Sequence, residues 1–225
     1  MATLRLAHRG DWRNAPENSL AAMEAALKVP GCDGLEFDVR SSFDGVPVLL
    51  HDATLARVQR VPLSCSTLTA AQLAEHGVPT LGEVLRAVGC DAFLDVELKE
   101  PVQGVIDALE LERGRTDDDG RPELRSAALS SFEAPILAWL RVQRPTWPRW
   151  LNAYDLSPET ISEAVELGCA AISAEWHGID AGGVARAAAA GLGVAAWTVR
   201  EPAAYPPIEA FGLLAICVEG AVLGA

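Results

Sequence analysis

A few ionisable residues stand inside short apolar runs, where a bare charge is costly. They are His8-Arg9, Glu36 and Asp38, His51, and the set Asp95, Glu97 and Lys99. Glu36 and Asp38 flank Phe37, and Asp95, Glu97 and Lys99 alternate with Val96 and Leu98. In an extended strand such alternation puts each set on one face. Carboxylates gathered without a matching set of cations repel one another, and a hard divalent cation with a taste for oxygen ligands, Mg²⁺ or Ca²⁺, resolves the repulsion. Two histidines beside such an ion suit general acid and general base work near neutral pH. Arg9 and Lys99 add positive charge for an anion. Lys99 is conspicuous because only one other lysine occurs, Lys28, among 18 basic residues. Together these groups read as metal-assisted phosphoryl transfer.

Such chemistry needs elements that bring distant residues together. Apolar runs at 4–8, 35–39, 93–98, 127–130, 149–153, 170–175, 194–199 and 213–218 read as strands. The segments near 17–28, 81–88, 101–113, 134–143, 158–167, 180–190 and 202–210 read as helices. Strand–helix alternation implies a parallel sheet with helices outside. Eight near-continuous runs suggest strands buried on both faces, hence a closed (β/α)8 TIM barrel, whose active sites lie at the carboxyl ends of the strands. That is where the polar residues fall. One more run, 46–50, begins too soon after 35–39 for a parallel crossover. Asp44-Gly45 between them is a hairpin signal, so the second strand is expected to overshoot the rim and return antiparallel. With a two-residue turn, Phe43 faces Val46, Arg40 faces Leu49 and Asp38 faces His51. The stretch 113–125, with Asp117-Asp118-Asp119-Gly120, reads as a solvated loop. His76 reads as structural, His177 as a surface or cap residue, and Trp139, Trp147 and Trp150 as packing. Trp197 is either core or a substrate wall.

The 225 residues fit one domain, 1–225, large enough to bury a core without a structural metal or disulfides. Half the residues are hydrophobic and 22% are charged, which excludes a disordered chain. A net charge of −13 argues against nucleic acid and against stable membrane association, while leaving room for a small phosphate-bearing molecule. The five cysteines, at 32, 65, 90, 169 and 217, form no CxxC pair. With no leader segment evident before the first strand, reduced thiols in a cytoplasmic protein are expected. The sequence says nothing of oligomeric state.

Eight fragments in order resemble the glycerophosphodiester phosphodiesterase family over nearly the whole chain. They include His8-Arg9-Gly10, Pro16-Glu17-Asn18-Ser19, Glu36-Phe37-Asp38-Val39 and Asp44-Gly45-x-x-Val48-x-x-His51-Asp52. Pro79-Thr80-Leu81, Glu97-Leu98-Lys99, Ser131-Phe132 and Trp197-Thr198-Val199 follow. The resemblance implies a (β/α)8 barrel with a hairpin after strand 2 and a short insertion near 53–77 beside the site. It implies that Glu36, Asp38 and Glu97 bind one divalent cation, and that His8 and His51 are the acid and base. Arg9 and Lys99 would hold the phosphate, and Asn18 and Trp197 would bind substrate. The implied reaction splits small soluble glycerophosphodiesters into an alcohol and glycerol 3-phosphate. Attack could come from the substrate's own glycerol hydroxyl, through a cyclic phosphate, or directly from water. A barrel phospholipase or lysophospholipase, and a non-catalytic phosphodiester-binding protein, are the rival readings. The chain departs from the family pattern at Ser42, at Arg200 where the family has Asn, and at Val218-Glu219-Gly220 where the family has Thr-Asp and a proline.

Overall fold

Side chains that alternate in and out of a closed ring of strands organise the molecule, seen here in a computed structural model that describes residues 2–224. The first half of the chain carries β1 (Leu4–His8), α1 (Leu20–Ala26), β2 (Gly34–Ser41), β3 (Pro47–Leu49), α2 (Ala70–Glu75), α3 (Leu81–Val88), β4 (Phe93–Leu98) and α4 (Gln103–Arg113). There follow β5 (Gly114–Thr116), β6 (Pro122–Leu124), β7 (Ala127–Ser131), α5 (Ala134–Gln143), β8 (Arg149–Ala153) and α6 (Pro158–Glu166). The chain then runs through β9 (Ala171–Glu175), α7 (Ala181–Ala189), β10 (Gly193–Val199), α8 (Tyr205–Glu209) and β11 (Ala215–Val218). Going round the barrel, the strands are β1, β2, β4, β7, β8, β9, β10 and β11, all parallel, and β11 closes on β1.

The outward positions are apolar. Leu35, Phe37 and Val39 of β2 and Leu94, Val96 and Leu98 of β4 pack with Leu81, Val84 and Leu85 of α3 and Val105, Ile106 and Leu109 of α4 in one core. Each such side chain contributes about 1.5–3 kcal/mol on leaving water. Inward positions near the amino ends of the strands are small or apolar, with Leu6, Ala128, Trp150, Ala171, Ala195, Ala215 and Cys217 forming a floor. Phe93 stacks on Trp150 there, with ring centroids 5.6 Å apart. Gly34 is required beside this floor, because a Cβ on it would lie 2.1 Å from the Phe93 carbonyl oxygen. Above the floor the inward positions turn polar, which is where the site forms.

The helices at 81–88 and 134–143 match expectation. The first is fixed by a capping box between Thr80 and Glu83. α1 is shorter than the pattern predicts, beginning only after Ser19 caps it, because Asn18 holds a left-handed conformation at φ 57°. The segment at 202–210 divides into a 3-10 turn, Pro202–Ala204, and α8.

Two expectations are corrected. The stretch 113–125 is not simply a solvated loop. β5 and β6 pair antiparallel, and the side chain of Arg113 is buried, donating from Nη1 to the carbonyls of Ala92 at 2.8 Å and Ser126 at 3.2 Å. The β2–β3 hairpin does turn at Asp44-Gly45, but its register is one residue off the sequence count. Val39 pairs with Leu49 and Arg40 with Val48, and the Leu50 amide donates to the Asp38 carbonyl. The cause is a three-residue loop, Phe43-Asp44-Gly45, with Gly45 at φ 77°. Ser42 selects it. Its Oγ accepts from the Val46 amide at 2.9 Å and donates to Asp44 Oδ1 at 2.7 Å. His51 therefore lies just past the ladder instead of opposite Asp38.

The insertion at 53–77 forms a small lobe whose Leu55, Cys65 and Leu73 pack with Val48, Leu50 and Val78 in a second, separate core. α2 in this lobe has a capping box between Thr69 and Gln72. All five cysteines are unpaired with one another.

Candidate active site

Parallel pairing sets the heart of the site. Glu36 pairs in register with Asp95, and Asp38 with Glu97. Four carboxyls thus project into one end of the barrel, all buried. Oxygens of Glu36, Asp38 and Glu97 lie within 4.8 Å of one another. The loop after β1 wraps this nest through two strained residues, Arg9 at φ 59° and Asn18 at φ 57°. Arg9 Nε lies 3.0 Å from Asp38 Oδ2, and Asn18 Nδ2 donates to the same oxygen at 2.8 Å. Lys99 Nζ lies 2.8 Å from Asp38 Oδ1 and also contacts Glu97 Oε1.

These contacts divide the carboxyls. Burial would raise Asp38, but Lys99 and Arg9 overcome it and hold Asp38 below the usual range. Burial, then the charge of Asp38, pushes Glu36 well up, and the same two causes raise Glu97. Burial likewise lifts Asp95 to about 7, although Ser130 Oγ donates to its Oδ1 at 2.6 Å. If all four acids facing Arg9 and Lys99 ionised, two negative charges would be left uncompensated, and the raised carboxyls reflect that conflict. A divalent cation fits that deficit and the all-oxygen donor set.

The histidines flank the nest. His8 Nε2 lies 3.7 Å from Glu36 Oε2, and its Nδ1 bonds Glu219. Desolvation lowers the His8 pKa despite this bond. His51 Nδ1 donates to Asp52 Oδ1 at 2.6 Å. Arg57, from the lobe, then joins several groups. Its Nε donates to Asp52 Oδ2 at 2.6 Å, and its Nη1 and Nη2 grip Glu17 at 2.8 and 2.7 Å. Glu17 in turn accepts from Arg9 Nη1 at 2.9 Å.

A cleft of about 300 Å³ opens over these groups. Of the residues expected from sequence, His8, Arg9, Glu36, His51, Glu97, Lys99 and Trp197 line it. Asp38 and Asn18 sit one layer back, fully or almost fully buried, with the Asn18 amide spent on Asp38. Trp197 is half-buried: it packs against the floor of the barrel and walls the cleft. It meets Phe132 and Tyr154 edge-on at 5.5 and 5.6 Å, and its Nε1 donates to the Ser173 carbonyl at 2.8 Å. His76 caps α2, and His177 faces solvent with Nδ1 on Glu175 at 2.8 Å. Trp147 and Trp150 are buried packing residues. Roles for Asp52, Arg57, Arg200, Glu219 and the Glu17 carboxylate were not foreseen from sequence.

The profile of the Glycerophosphoryl diester phosphodiesterase family matches residues 8–222. The chain belongs to that family. The glycerophosphodiester phosphodiesterase of Caldanaerobacter subterraneus subsp. tengcongensis is 34% identical over 116 residues, 45% of this chain and 47% of that protein. The chain thus spans about half the length of that relative. A Mycobacterium tuberculosis protein, named "Probable glycerophosphodiester phosphodiesterase 2", is 31% identical over 228 residues, 88% of this chain and 80% of its own. In fold, the chain is similar to an Oleispira antarctica phosphodiesterase solved with the product sn-glycerol-3-phosphate. The TM-score is 0.80 at 24% identity, covering 96% of this chain and 93% of the other.

Proposed function

We propose that this chain hydrolyses small, water-soluble glycerophosphodiesters to an alcohol and glycerol 3-phosphate. One observation carries the reading. Two imidazoles, each with Nδ1 on a carboxylate, stand over buried carboxyls that Arg9 and Lys99 only partly neutralise. Glu36, Asp38 and Glu97 would hold one Mg²⁺ or Ca²⁺, which when bound polarises a phosphoryl oxygen. Arg9 and Lys99 bind phosphate oxygens and stabilise the charge that builds on them in the transition state. His8 and His51 handle protons at Nε2. One takes the proton of the attacking hydroxyl, and the other gives a proton to the departing alcohol oxygen. When the attacker is the substrate's neighbouring glycerol hydroxyl, its oxygen bonds phosphorus as the P–O bond to the alcohol breaks. Water then opens the cyclic phosphate: the second histidine, now neutral, takes the proton of the attacking water, and the first gives its proton back to the glycerol oxygen as that P–O bond breaks.

Asn18 fixes Asp38, and Trp197 walls the substrate on the side of the barrel away from β2. The net charge of −13 favours a free substrate over an anionic bilayer, and among the described residues no helix is long and apolar enough to cross a membrane. Five unpaired cysteines accord with a reducing, cytoplasmic setting, and we read 1–225 as one catalytic domain. The deciding experiment measures phosphate-diester cleavage of glycerophosphocholine, glycerophosphoethanolamine and glycerophosphoglycerol, with added Mg²⁺ or Ca²⁺ and with chelator. Cation-dependent release of glycerol 3-phosphate is expected. Binding without turnover would reduce the chain to a phosphodiester-binding protein.

A further inference from the structure

Arg200 and Glu219 stand 19 residues apart in the sequence, yet the fold joins them to each other and, through Glu219, to His8. β11 lies beside β1 with Val218 opposite Ala7, so the next residues, Glu219 and His8, are neighbours at the rim. The β10–β11 register shifts by one residue between Ala196 and Val199, and this bulge aligns Val199 with Val218. Bulges beside active sites re-aim side chains. Here the shift sets Arg200 next to Glu219, whose amide also donates to the Val199 carbonyl at 3.1 Å. Arg200 then clasps the carboxylate with two donors, Nε to Oε2 at 2.7 Å and Nη2 to Oε1 at 3.0 Å. Oε1 also takes the bond from His8 Nδ1. Glu219 is buried, whereas the Arg200 side chain is 62% exposed, so the arginine spends an otherwise mobile head on one buried partner.

We propose that Glu219 and Arg200 are a positioning pair for His8. Glu219 keeps the Nδ1 proton in place, Arg200 locks the carboxylate, and Nε2 is thereby left as the nitrogen that works on the phosphodiester. The inference rests on the proposed function for His8 and adds to it the parts that set its tautomer. The logic serves either proton role, since Nδ1–H stays on Glu219 while Nε2 gives or takes the proton. The same construction recurs across the site, where Arg57 holds Asp52 and Asp52 holds His51 Nδ1. A carboxylate behind a catalytic imidazole acts by fixing tautomer and ring orientation.

The test combines kinetics with histidine ¹⁵N NMR on the intact Mg²⁺-loaded protein. Glu219→Gln should lower kcat on glycerophosphocholine about 10- to 100-fold with KM within about twofold. Arg200→Ala should lower kcat about three- to tenfold, and Arg200→Lys should recover part of that. In a His8→Ala background, Glu219→Gln should change the residual rate by less than about threefold, because its target is gone. The imidazole ¹⁵N spectrum, with His8 assigned by its loss in His8→Ala, should place the neutral-form proton on Nδ1 in the wild type. Glu219→Gln should move part of it to Nε2. Equal kinetic loss in the wild-type and His8→Ala backgrounds, an effect on KM alone, or an unchanged tautomer would each overturn the proposal. A wild-type protein inactive on every glycerophosphodiester would instead remove the proposed function, and the NMR result alone would then decide the pair.

Discussion

Asp95 offers the most direct reading of how much electrostatic stress the site holds. It is fully buried between the metal-ligand candidates of β2 and β4, receives one hydrogen bond from Ser130, and titrates near 7 in the fold. The unfolded chain releases that proton near 3.8. Between those values the unfolded state has lost the proton while the fold still keeps it, so stability falls as pH rises and the full cost is present above about pH 7. The difference is worth about 4 kcal/mol, of which roughly 2–3 kcal/mol builds up between about pH 5 and pH 8. Asp95→Asn keeps the acceptor for Ser130 and removes the ionisation. In chelator-treated protein, the variant should therefore gain about 2–3 kcal/mol relative to wild type on going from about pH 5 to pH 8, or roughly 5–10 °C in Tm. Saturating Mg²⁺ should shrink that gain, since the cation offsets the field that raises the carboxyl. Urea or thermal unfolding of both proteins at the two pH values, with and without Mg²⁺, gives the comparison. A gain independent of pH would show that Asp95 ionises freely in the fold, and the argument for uncompensated buried charge would fail with it.

Glu97→Gln should weaken Mg²⁺ binding by at least about tenfold by calorimetry, and chelation should abolish wild-type activity. Unchanged affinity would remove Glu97 from the ligand set. His8→Ala and His51→Ala should each lose about 10²- to 10⁴-fold in kcat, with His76→Ala near wild type. A nitrophenyl leaving group should rescue whichever variant lacks the general acid, and equal loss on both substrates would deny that division of labour. Arg57→Ala should lower kcat about 10- to 100-fold by loosening Asp52 and Glu17, yet change stability by less than about 1 kcal/mol because its ion pairs are half-exposed. A large stability loss with intact kcat would make Arg57 a lobe fastener only. A deoxy substrate without the neighbouring glycerol hydroxyl should turn over at least about 10²-fold more slowly, and undiminished cleavage would favour direct attack by water.

The alternation of acids and apolar residues in β2 and β4 was legible because it is local. Period two places Glu36 and Asp38, and Asp95 and Glu97, on one face whatever the rest of the chain does. The hairpin was legible as a turn but not in register, because one hydroxyl decides the loop length. Ser42 bonds both Asp44 and Val46 and adds a loop residue, moving Leu50 into the place counted for His51. His51 still reaches the cleft, since its position depends on where the chain leaves the ladder and on the Asp52–Arg57 clamp. That clamp was hidden because Arg57 sits in a lobe with no strand–helix rhythm and meets a glutamate 40 residues away. Glu219 was the more readable omission. A closed eight-stranded barrel must set its last strand beside its first, which brings the residues after β11 to the rim where His8 ends β1, and the register of Val218 opposite Ala7 completes the match. Closure alone therefore marks Glu219 as a candidate neighbour of His8, short only of the register. The partner Arg200 would still have escaped, because its approach depends on a one-residue bulge in β10 that no turn residue or proline announces.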